Sequence, residues 1–165
     1  MLDRRALIAA ALPAMVLAAC GDRGAKKNLD EGAAFLARNG KLPDVHTTAS
    51  GLQYRVVRSG PVSGLRPKPA DEVKVHYEGK LLDGHVFDSS YERGAPAVMQ
   101  LRGLIPAWVE ALQLMRPGDT WQLFVPPKLG YGEKGAGDEI PPNAVLVFRI
   151  ELIDVLPDES SKGMA

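Results

Sequence analysis

The sequence predicts one α+β domain over residues 47–156, with a single helix and a sheet of about five antiparallel strands. Two observations predict this class: short segments in which apolar and polar residues alternate, and only one segment there with helical spacing. The 17 Gly and 13 Pro of the 165-residue chain also favour tight turns over long helices. A sheet with one helix buries its apolar face only if the helix packs across it.

The strands are predicted from period-two alternation, which is typical of a half-buried strand. The alternating positions are Leu52, Tyr54 and Val56; Val73, Val75 and Tyr77, continuing to Leu82; and Trp121, Leu123 and Val125. A short strand is also predicted from Val98 to Leu101, between the second and the fourth, and a long apolar strand from Ala144 to Leu156. Asp83-Gly84 predicts a tight turn after the second strand. Pro126-Pro127 ends the fourth, because proline cannot donate a ladder hydrogen bond.

The helix of this domain is predicted from Ile105 to Met115. Its apolar positions recur at helical spacing and are Ile105, Trp108, Ala111 or Leu112, and Met115. Pro106 suits a first-turn position, and Pro117-Gly118 stops the helix.

Charge and cysteine content exclude several functional classes. The 20 Lys and Arg balance the 20 Asp and Glu, so the chain lacks the basic surplus that marks a nucleic-acid-binding protein. A single cysteine, Cys20, excludes both a disulfide framework and a Cys-rich metal site within one chain. We expect neither a metal nor a cofactor.

Residues 1–19 are predicted to be an export signal. Arg4-Arg5 gives a basic start, and the apolar run from Ala6 to Ala19 is too short to span a bilayer comfortably. Leu17-Ala18-Ala19-Cys20 resembles the lipobox of bacterial lipoproteins, in which the cysteine becomes lipid-modified. The resemblance implies a lipid-anchored protein on the periplasmic side of the envelope, on the inner or the outer membrane. The alternative is an ordinary signal that leaves Cys20 as a free thiol.

Residues 20–46 are predicted to form a lipid-anchored tether and a short helix. Residues 21–28 are small, polar and charged, which is typical of a flexible linker. Leu29 to Asn39 has an amphipathic pattern. Packing on the domain surface and binding of a partner are both open roles for this helix. Residues 157–165 are predicted to be a disordered tail.

Five motifs follow one another across residues 47–156. They are Thr48-Ala49-Ser50-Gly51-Leu52-Gln53-Tyr54; Val75-His76-Tyr77-Glu78-Gly79 with Asp83 to Ser90; Leu104 to Trp108 with Glu110-Ala111-Leu112; Met115 to Gly118; and Tyr131-Gly132 with Ile140 to Ala144 and Leu146-Val147-Phe148. Each motif is weak alone, but five in order are specific. Together they resemble FKBP-type peptidyl-prolyl cis-trans isomerases. The resemblance implies a curved antiparallel half-barrel wrapped around the helix, with a hydrophobic pocket between them.

The same resemblance implies which residues form the pocket. A proline side chain would lie above Trp108, while the Ile105 N–H and the Tyr131 hydroxyl would each bind a substrate carbonyl. The implied catalytic residues are Tyr77, Phe87, Asp88, Trp108, Tyr131 and Phe148, and the implied substrate-binding residues are Met99, Leu104, Ile105 and Ile140. Ala97, Met99 and the loop from Glu133 to Glu139 depart from the family pattern, so the preferred residue before proline stays open.

Without the surrounding motifs these residues have plainer explanations. Trp108, Phe87 and Phe148 would be ordinary core residues. Asp88 would cap a turn, and Tyr131 would be a loop side chain.

The resemblance implies catalysis of rotation about X–Pro bonds. The barrier is about 18–20 kcal/mol, and no covalent bond breaks, so neither a nucleophile nor a metal is required. A dry pocket favours the twisted amide, because the planar amide is more dipolar and loses more on leaving water. Asp88 is therefore expected to accept a hydrogen bond from Tyr77 rather than to transfer a proton. We expect an isomerase that accelerates folding of exported proteins; the alternative is a proline-peptide-binding or holdase chaperone module with little turnover.

The expected partners are unfolded or proline-containing polypeptides and, through the lipid on Cys20, a membrane. The resemblance also implies binding of macrocyclic inhibitors of the tacrolimus and rapamycin class. Larger family members dimerise through a long N-terminal helical domain. Only residues 21–46 precede the domain here, so we expect a monomer.

Overall fold

The computed structural model describes residues 16–158 and confirms the α+β class. The two α-helices are α1 (Val16–Asn39) and α2 (Pro106–Leu114). The strands are β1 (His46–Thr47), β2 (Gln53–Arg58), β3 (Glu72–Leu81), β4 (Val86–Ser89), β5 (Ala97–Gln100), β6 (Thr120–Val125) and β7 (Leu146–Leu156). Residues 1–15 and 159–165, which hold most of the predicted export signal and tail, lie outside the described residues. The side chains of residues 16–22, including the Cys20 thiol, lie outside them too.

The sheet has seven strands rather than about five. The two that the sequence did not indicate are β1, of two residues, and β4, of four residues. Segments this short do not contain enough alternating positions to give a period-two signal.

All strand pairs are antiparallel, and the order is β1-β2-β6-β7-β3-β4, with β5 also pairing with β3. The central ladder joins β3 to β7 from Glu72↔Leu156 to Leu81↔Leu146. On its other edge, β3 pairs first with β5, at residues 72–75, and then with β4, at residues 78–80. Tyr77 therefore lies where the edge of β3 passes from one partner to the other.

Helix α2 packs on the inner face of this sheet, as predicted. Ile105 and Met115 are its caps rather than helical residues. Its buried residues are Ala107, Trp108, Ala111 and Leu112. They share one apolar cluster with the inward-facing side chains of β3, β6 and β7, which include Val73, Val75, Leu123, Phe148 and Ile150. The packing of a helix against three strands fixes the floor of the cavity described below.

Residues 21–28 are helical, so the prediction of a flexible tether is wrong. They continue α1, which runs unbroken to Asn39. Two i,i+4 ion pairs support the polar half of the helix: Lys26 Nζ to Asp30 at 2.8 Å and Lys27 Nζ to Glu31 at 3.8 Å. No helix within residues 16–158 is long and apolar enough to cross a membrane.

Helix α1 docks on the outer face of the domain. Gly32 brings the helix backbone so close to Val145 that an added Cβ would lie 2.7 Å from Val145 Cγ2. Phe35 packs on Phe124 of β6 with ring centroids 5.8 Å apart. Near the end of the helix, the Gln53 amide donates to the Leu36 carbonyl at 2.9 Å. Of the two roles left open for this segment, the structure shows packing on the domain.

Two glycines of α1 provide a matched test of this docking. In a helix interior, Gly→Ala stabilises by roughly 0.5–1 kcal/mol. Nothing lies within 4 Å of a Cβ at Gly24, so Gly24→Ala should raise the free energy of unfolding by that amount. At Gly32 the new methyl group collides with Val145, and we expect a net loss of about 1 kcal/mol. Urea unfolding measures both, and equal gains at the two positions would show that α1 does not pack on Val145 in solution.

Candidate active site

A pocket of about 280 Å³ opens between α2 and the inner face of the sheet. Its lining is mostly apolar and comprises Tyr77, Phe87, Asp88, Met99, Gly103, Leu104, Ile105, Trp108, Tyr131 and Phe148. The structure thus brings together all of the predicted pocket residues except Ile140. Ile140 is buried in the core, where its backbone pairs with that of Ala136.

Four aromatic side chains form the floor and one wall of the pocket. Trp108 is 4% exposed and meets the rings of Tyr77 and Phe148 edge-on, with centroids 5.1 Å and 5.3 Å apart. Phe148 in turn meets Phe87 edge-on at 5.6 Å. Edge-to-face packing is a favourable arrangement for aromatic pairs. Trp108 therefore belongs to the core and also lines the floor of the pocket.

Gly79 of β3 makes room for this aromatic wall. A Cβ at this position would lie 2.6 Å from Phe148 Cε1 and 2.7 Å from two carbons of the Phe87 ring. A glycine inside a strand often marks such a close approach. The absent side chain is thus the reason that the two phenylalanines can meet across the strand.

A network of charged side chains surrounds the hydroxyl group of Tyr77. The predicted hydrogen bond is present: the Tyr77 hydroxyl donates to Asp88 Oδ2 at 2.6 Å. Arg93 donates to Asp88 Oδ1 and, at 2.7 Å, to the Tyr77 hydroxyl oxygen. Its guanidinium carbon also lies 5.4 Å from the centroid of the Tyr77 ring, within the range of a cation–π contact. The carboxylate on the rim of the pocket is therefore paired rather than free.

The network shifts the pKa values of its members. Partial burial raises the pKa of Asp88, but the hydrogen bonds from Tyr77 and Arg93 and the charge of Arg93 outweigh it, so the pKa lies below its ordinary value. Burial, followed by the hydrogen bond to Asp88, raises the pKa of the Tyr77 hydroxyl. At neutral pH, Asp88 is thus an anion and Tyr77 a neutral donor.

Besides the buried indole N–H of Trp108, two hydrogen-bond donors of the lining have no acceptor within residues 16–158: the Ile105 N–H and the Tyr131 hydroxyl. Ile105 is the N-cap of α2, and the N–H groups at the start of a helix have no partner inside it. The Tyr131 side chain is 41% exposed. Both donors are therefore able to bind a ligand. In the same range, no group of three or more His, Cys, Asp or Glu is placed to hold a metal ion.

A family model described as FKBP-type peptidyl-prolyl cis-trans isomerase matches residues 64–153. The chain belongs to this family. A second model, of the domain amino terminal to FKBP-type peptidyl-prolyl isomerases, matches residues 6–56. The FKBP-type match covers β3 to most of β7, and with them all of the pocket residues.

Among curated relatives, the chain is 51% identical over 126 residues to the FKBP-type 22 kDa peptidyl-prolyl cis-trans isomerase of Escherichia coli, covering 76% of this chain and 60% of the relative. It is 49% identical over 128 residues to the peptidyl-prolyl cis-trans isomerase Mip of Coxiella burnetii, covering 78% and 55%. The chain therefore spans little more than half the length of these relatives.

Solved structures of FKBP-type relatives share the fold. The crystal structure of FkpA from Escherichia coli superimposes with a TM-score of 0.80 at 41% identity, covering 85% of this chain and 64% of that one. A peptidyl-prolyl cis-trans isomerase from Pseudomonas syringae gives a TM-score of 0.74 at 36% identity, covering 80% and 96%.

Sequence reasoning missed Gly103, which lines this FKBP-type pocket, and Arg93, which is hydrogen-bonded to two of its lining residues. Gly103 precedes Leu104 and lines the pocket through its backbone, so the chain offers no side-chain signal for it. Arg93 lies in the turns after β4 among other charged residues. Only the fold shows that it reaches Asp88 and Tyr77, since a single arginine in a turn carries no pattern of its own.

The Gly79→Ala variant tests whether the aromatic wall requires a residue without a side chain at position 79. The new methyl group must displace Phe87 or Phe148, so we expect a loss of about 1–3 kcal/mol in the free energy of unfolding. Gly103→Ala is the matched control, because a Cβ there would meet nothing within 4 Å. Chemical denaturation of both variants checks the prediction. A Gly79→Ala protein as stable as Gly103→Ala would contradict the close packing described above.

Asp88→Asn tests the charged network through acid unfolding. Because the pKa of Asp88 is lowered in the fold, its ionisation stabilises the folded state fully above the ordinary value of about 3.9. That contribution is lost as the pH falls from there through the lowered pKa. The free energy of unfolding should therefore fall less steeply with acid in Asp88→Asn than in the wild type.

Asp138→Asn is the control for this titration. Asp138 is exposed and has no hydrogen bond or ion pair within the described part of the chain, so its variant should keep the wild-type slope. Parallel curves for Asp88→Asn and the wild type would mean that Asp88 is not bound to Tyr77 and Arg93 in solution.

Proposed function

We propose that this chain is a peptidyl-prolyl cis-trans isomerase that accelerates rotation about X–Pro bonds in exported polypeptides. The observation that carries the proposal is the aromatic pocket above Trp108. Two hydrogen-bond donors of its lining, the Ile105 N–H and the Tyr131 hydroxyl, have no acceptor within the described residues. The names of the relatives and the FKBP-type family model support the same activity.

The pocket suits a proline ring better than other side chains. Proline is apolar and has no N–H, so its ring can enter a cavity walled by Tyr77, Phe87, Trp108 and Phe148 without leaving a donor unsatisfied. Small-ligand sites of this kind combine apolar walls with a few placed polar groups. The paired state of Asp88 avoids presenting an uncompensated charge to that ring.

Catalysis then follows from desolvation and orientation. The planar X–Pro amide is the more dipolar state, so its transfer from water into the pocket costs more than transfer of the twisted state, and the barrier falls. The Ile105 N–H and the Tyr131 hydroxyl would each hold a substrate carbonyl, which fixes the chain on either side of the rotating bond. No step requires proton transfer, and the Asp88–Arg93 pair serves to hold the Tyr77 ring in the wall.

The biological need for such an activity is kinetic. Uncatalysed isomerisation takes about 10–100 s at 25 °C, which is slow enough to limit folding. Since the reaction needs only access to an unfolded segment, the partners would be proline-containing stretches of unfolded polypeptides, and ligands of the tacrolimus and rapamycin class would compete for the same pocket.

We place this activity on the periplasmic side of a bacterial envelope, with the chain anchored by a lipid on Cys20. The lipobox-like sequence that ends at Cys20 supports the anchor. A relative that is 45% identical over 134 residues, covering 81% of this chain and 57% of its own length, is named an outer membrane protein, from Legionella longbeachae. That name supports a location in the envelope.

An isomerisation assay on the purified protein tests the proposed function. The wild type should accelerate cis-to-trans conversion of an X–Pro peptide in a protease-coupled assay. Trp108→Leu and Phe87→Ala should each lower kcat/KM at least about tenfold, because each removes an aromatic surface from the pocket. Circular dichroism checks that both variants are folded.

Tyr54→Ala is the matched control for these truncations. Tyr54 stacks on Trp121 at 4.2 Å and does not line the pocket, so its variant should keep the wild-type kcat/KM. A folded wild-type protein without any rate enhancement would overturn the isomerase proposal and favour the peptide-binding module. Aggregation suppression that survives Trp108→Leu while isomerisation is lost would assign chaperone activity to another surface.

A further inference from the structure

The turn that precedes β7 is bonded both to helix α1 and to the loop that carries Tyr131. The Asn28 amide donates to the Pro142 carbonyl at 2.9 Å, and the Asn143 amide donates to the Ala25 carbonyl at 3.3 Å. On the other side, the backbone N–H of Asn143 donates to the Gly132 carbonyl at 2.9 Å. We call these three hydrogen bonds the asparagine clasp.

Asn143 holds the clasp in an uncommon backbone conformation. Its φ is 59°, and it is the only residue other than glycine with a positive φ within residues 16–158. Asparagine enters this left-handed region more readily than most residues, yet the conformation still carries a cost. Such a residue persists where its surroundings hold it in place. Here the surroundings are α1 on one side and the loop that carries Tyr131 on the other.

Helix α1 does not pack tightly against the loop that carries Tyr131, which we call the pocket loop. An apolar cleft of about 350 Å³ separates them, lined by Leu29, Ala33 and Leu36 of α1 and by Pro126, Pro127 and Gly132 on the loop side. The three hydrogen bonds of the clasp therefore link α1 to this loop indirectly, through the turn at Pro142 and Asn143. The position of the loop should respond to the loss of single hydrogen bonds.

The Tyr131 side chain depends on its own backbone for its position. Its hydroxyl has no hydrogen bond within the described residues, and the ring is 41% exposed. Glycines flank it on both sides, and Gly132 has a φ of 61°. The bond from the Asn143 N–H to the Gly132 carbonyl thus restrains the backbone on one side of Tyr131, as the bond from the Gly130 N–H to the Pro127 carbonyl does on the other.

We propose that Asn28 and Asn143 are positioning residues of the isomerase, which hold the Tyr131 hydroxyl where it binds a substrate carbonyl. The inference rests on the proposed function, because it concerns the same pocket. It makes α1 a part of the support of the active site rather than a spacer in front of it. A loss of the clasp should weaken substrate binding while the aromatic floor stays intact.

The test is a double-mutant cycle in the full chain. Asn28→Ala removes one bond of the clasp and places a better helix former in α1, so the helix itself is not weakened. Asn143→Gly keeps the positive φ and removes only the amide. Each variant should lower kcat/KM about two- to tenfold, the size of one hydrogen bond, with the change in KM rather than in kcat.

The Tyr131→Phe variant shows whether the clasp acts by positioning the Tyr131 hydroxyl or by stabilising the domain in general. If the clasp acts through the Tyr131 hydroxyl, Asn28→Ala has no further effect once that hydroxyl is gone. Losses that add in the double variant, or an Asn28→Ala protein with the wild-type kcat/KM, overturn the proposal. Lys26→Ala, which removes an exposed ion pair of the same helix, is the control and should leave kcat/KM unchanged.

A second measurement tests the clasp independently of whether the protein is an isomerase. Hydrogen exchange of the Asn143 N–H should be faster in Asn28→Ala than in Lys26→Ala, and equal rates overturn the clasp. If the wild type shows no isomerisation, the proposed function fails. The same double-mutant cycle is then carried out on the Kd of a proline-containing peptide, measured by tryptophan fluorescence. A change of Kd in Asn28→Ala that vanishes in the Tyr131→Phe background supports the clasp. Any other result, including no binding, overturns it.

Discussion

The edge-on packing of Trp108 against Tyr77 and Phe148 is the interaction on which the rest of the structure depends. It seats α2 on the sheet, and the same rings form the floor and wall of the pocket. Protein interiors are packed so densely that rings in contact cannot move independently. The shape of the pocket is therefore set by the folding of the whole domain, and the missing side chain of Gly79 is what leaves room for it.

Around this apolar floor, the polar groups divide into those that are satisfied inside the chain and those left for a ligand. Asp88, Arg93 and Tyr77 satisfy one another at the rim. The Ile105 N–H and the Tyr131 hydroxyl do not find acceptors within residues 16–158. This division suits a catalyst that moves no proton, since what it must supply is a dry cavity and a few directional contacts.

Much of the domain could be predicted because its signals are local. Alternation marks the long strands, and Pro106 and Pro117-Gly118 bracket α2. Strand β4 is too short to alternate detectably. Residues 21–28 have the composition of a linker, and the contacts of this part of α1 with the turn before β7 join residues more than a hundred positions apart in sequence. Pocket residues that lie inside motifs could be predicted together. The contacts of Arg93 and Asn143 depend on neighbours that only the fold supplies, and Ile140, although in a motif, lies in the core.

The asparagine clasp holds helix α1 at Ala25, and Cys20 lies five residues earlier in the same helix. In a continuous helix each residue adds about 1.5 Å of rise and about 100° of rotation. With a lipid on Cys20, the anchored end of the helix would lie roughly 8 Å along its axis from Ala25. The rotation of the domain about that axis, relative to the lipid, would depend on the number of residues between the two positions. One inserted residue would swing the pocket by more than a quarter of a circle relative to the bilayer. With such an anchor, the number of residues between Cys20 and Ala25 would set the direction in which the pocket faces relative to the membrane.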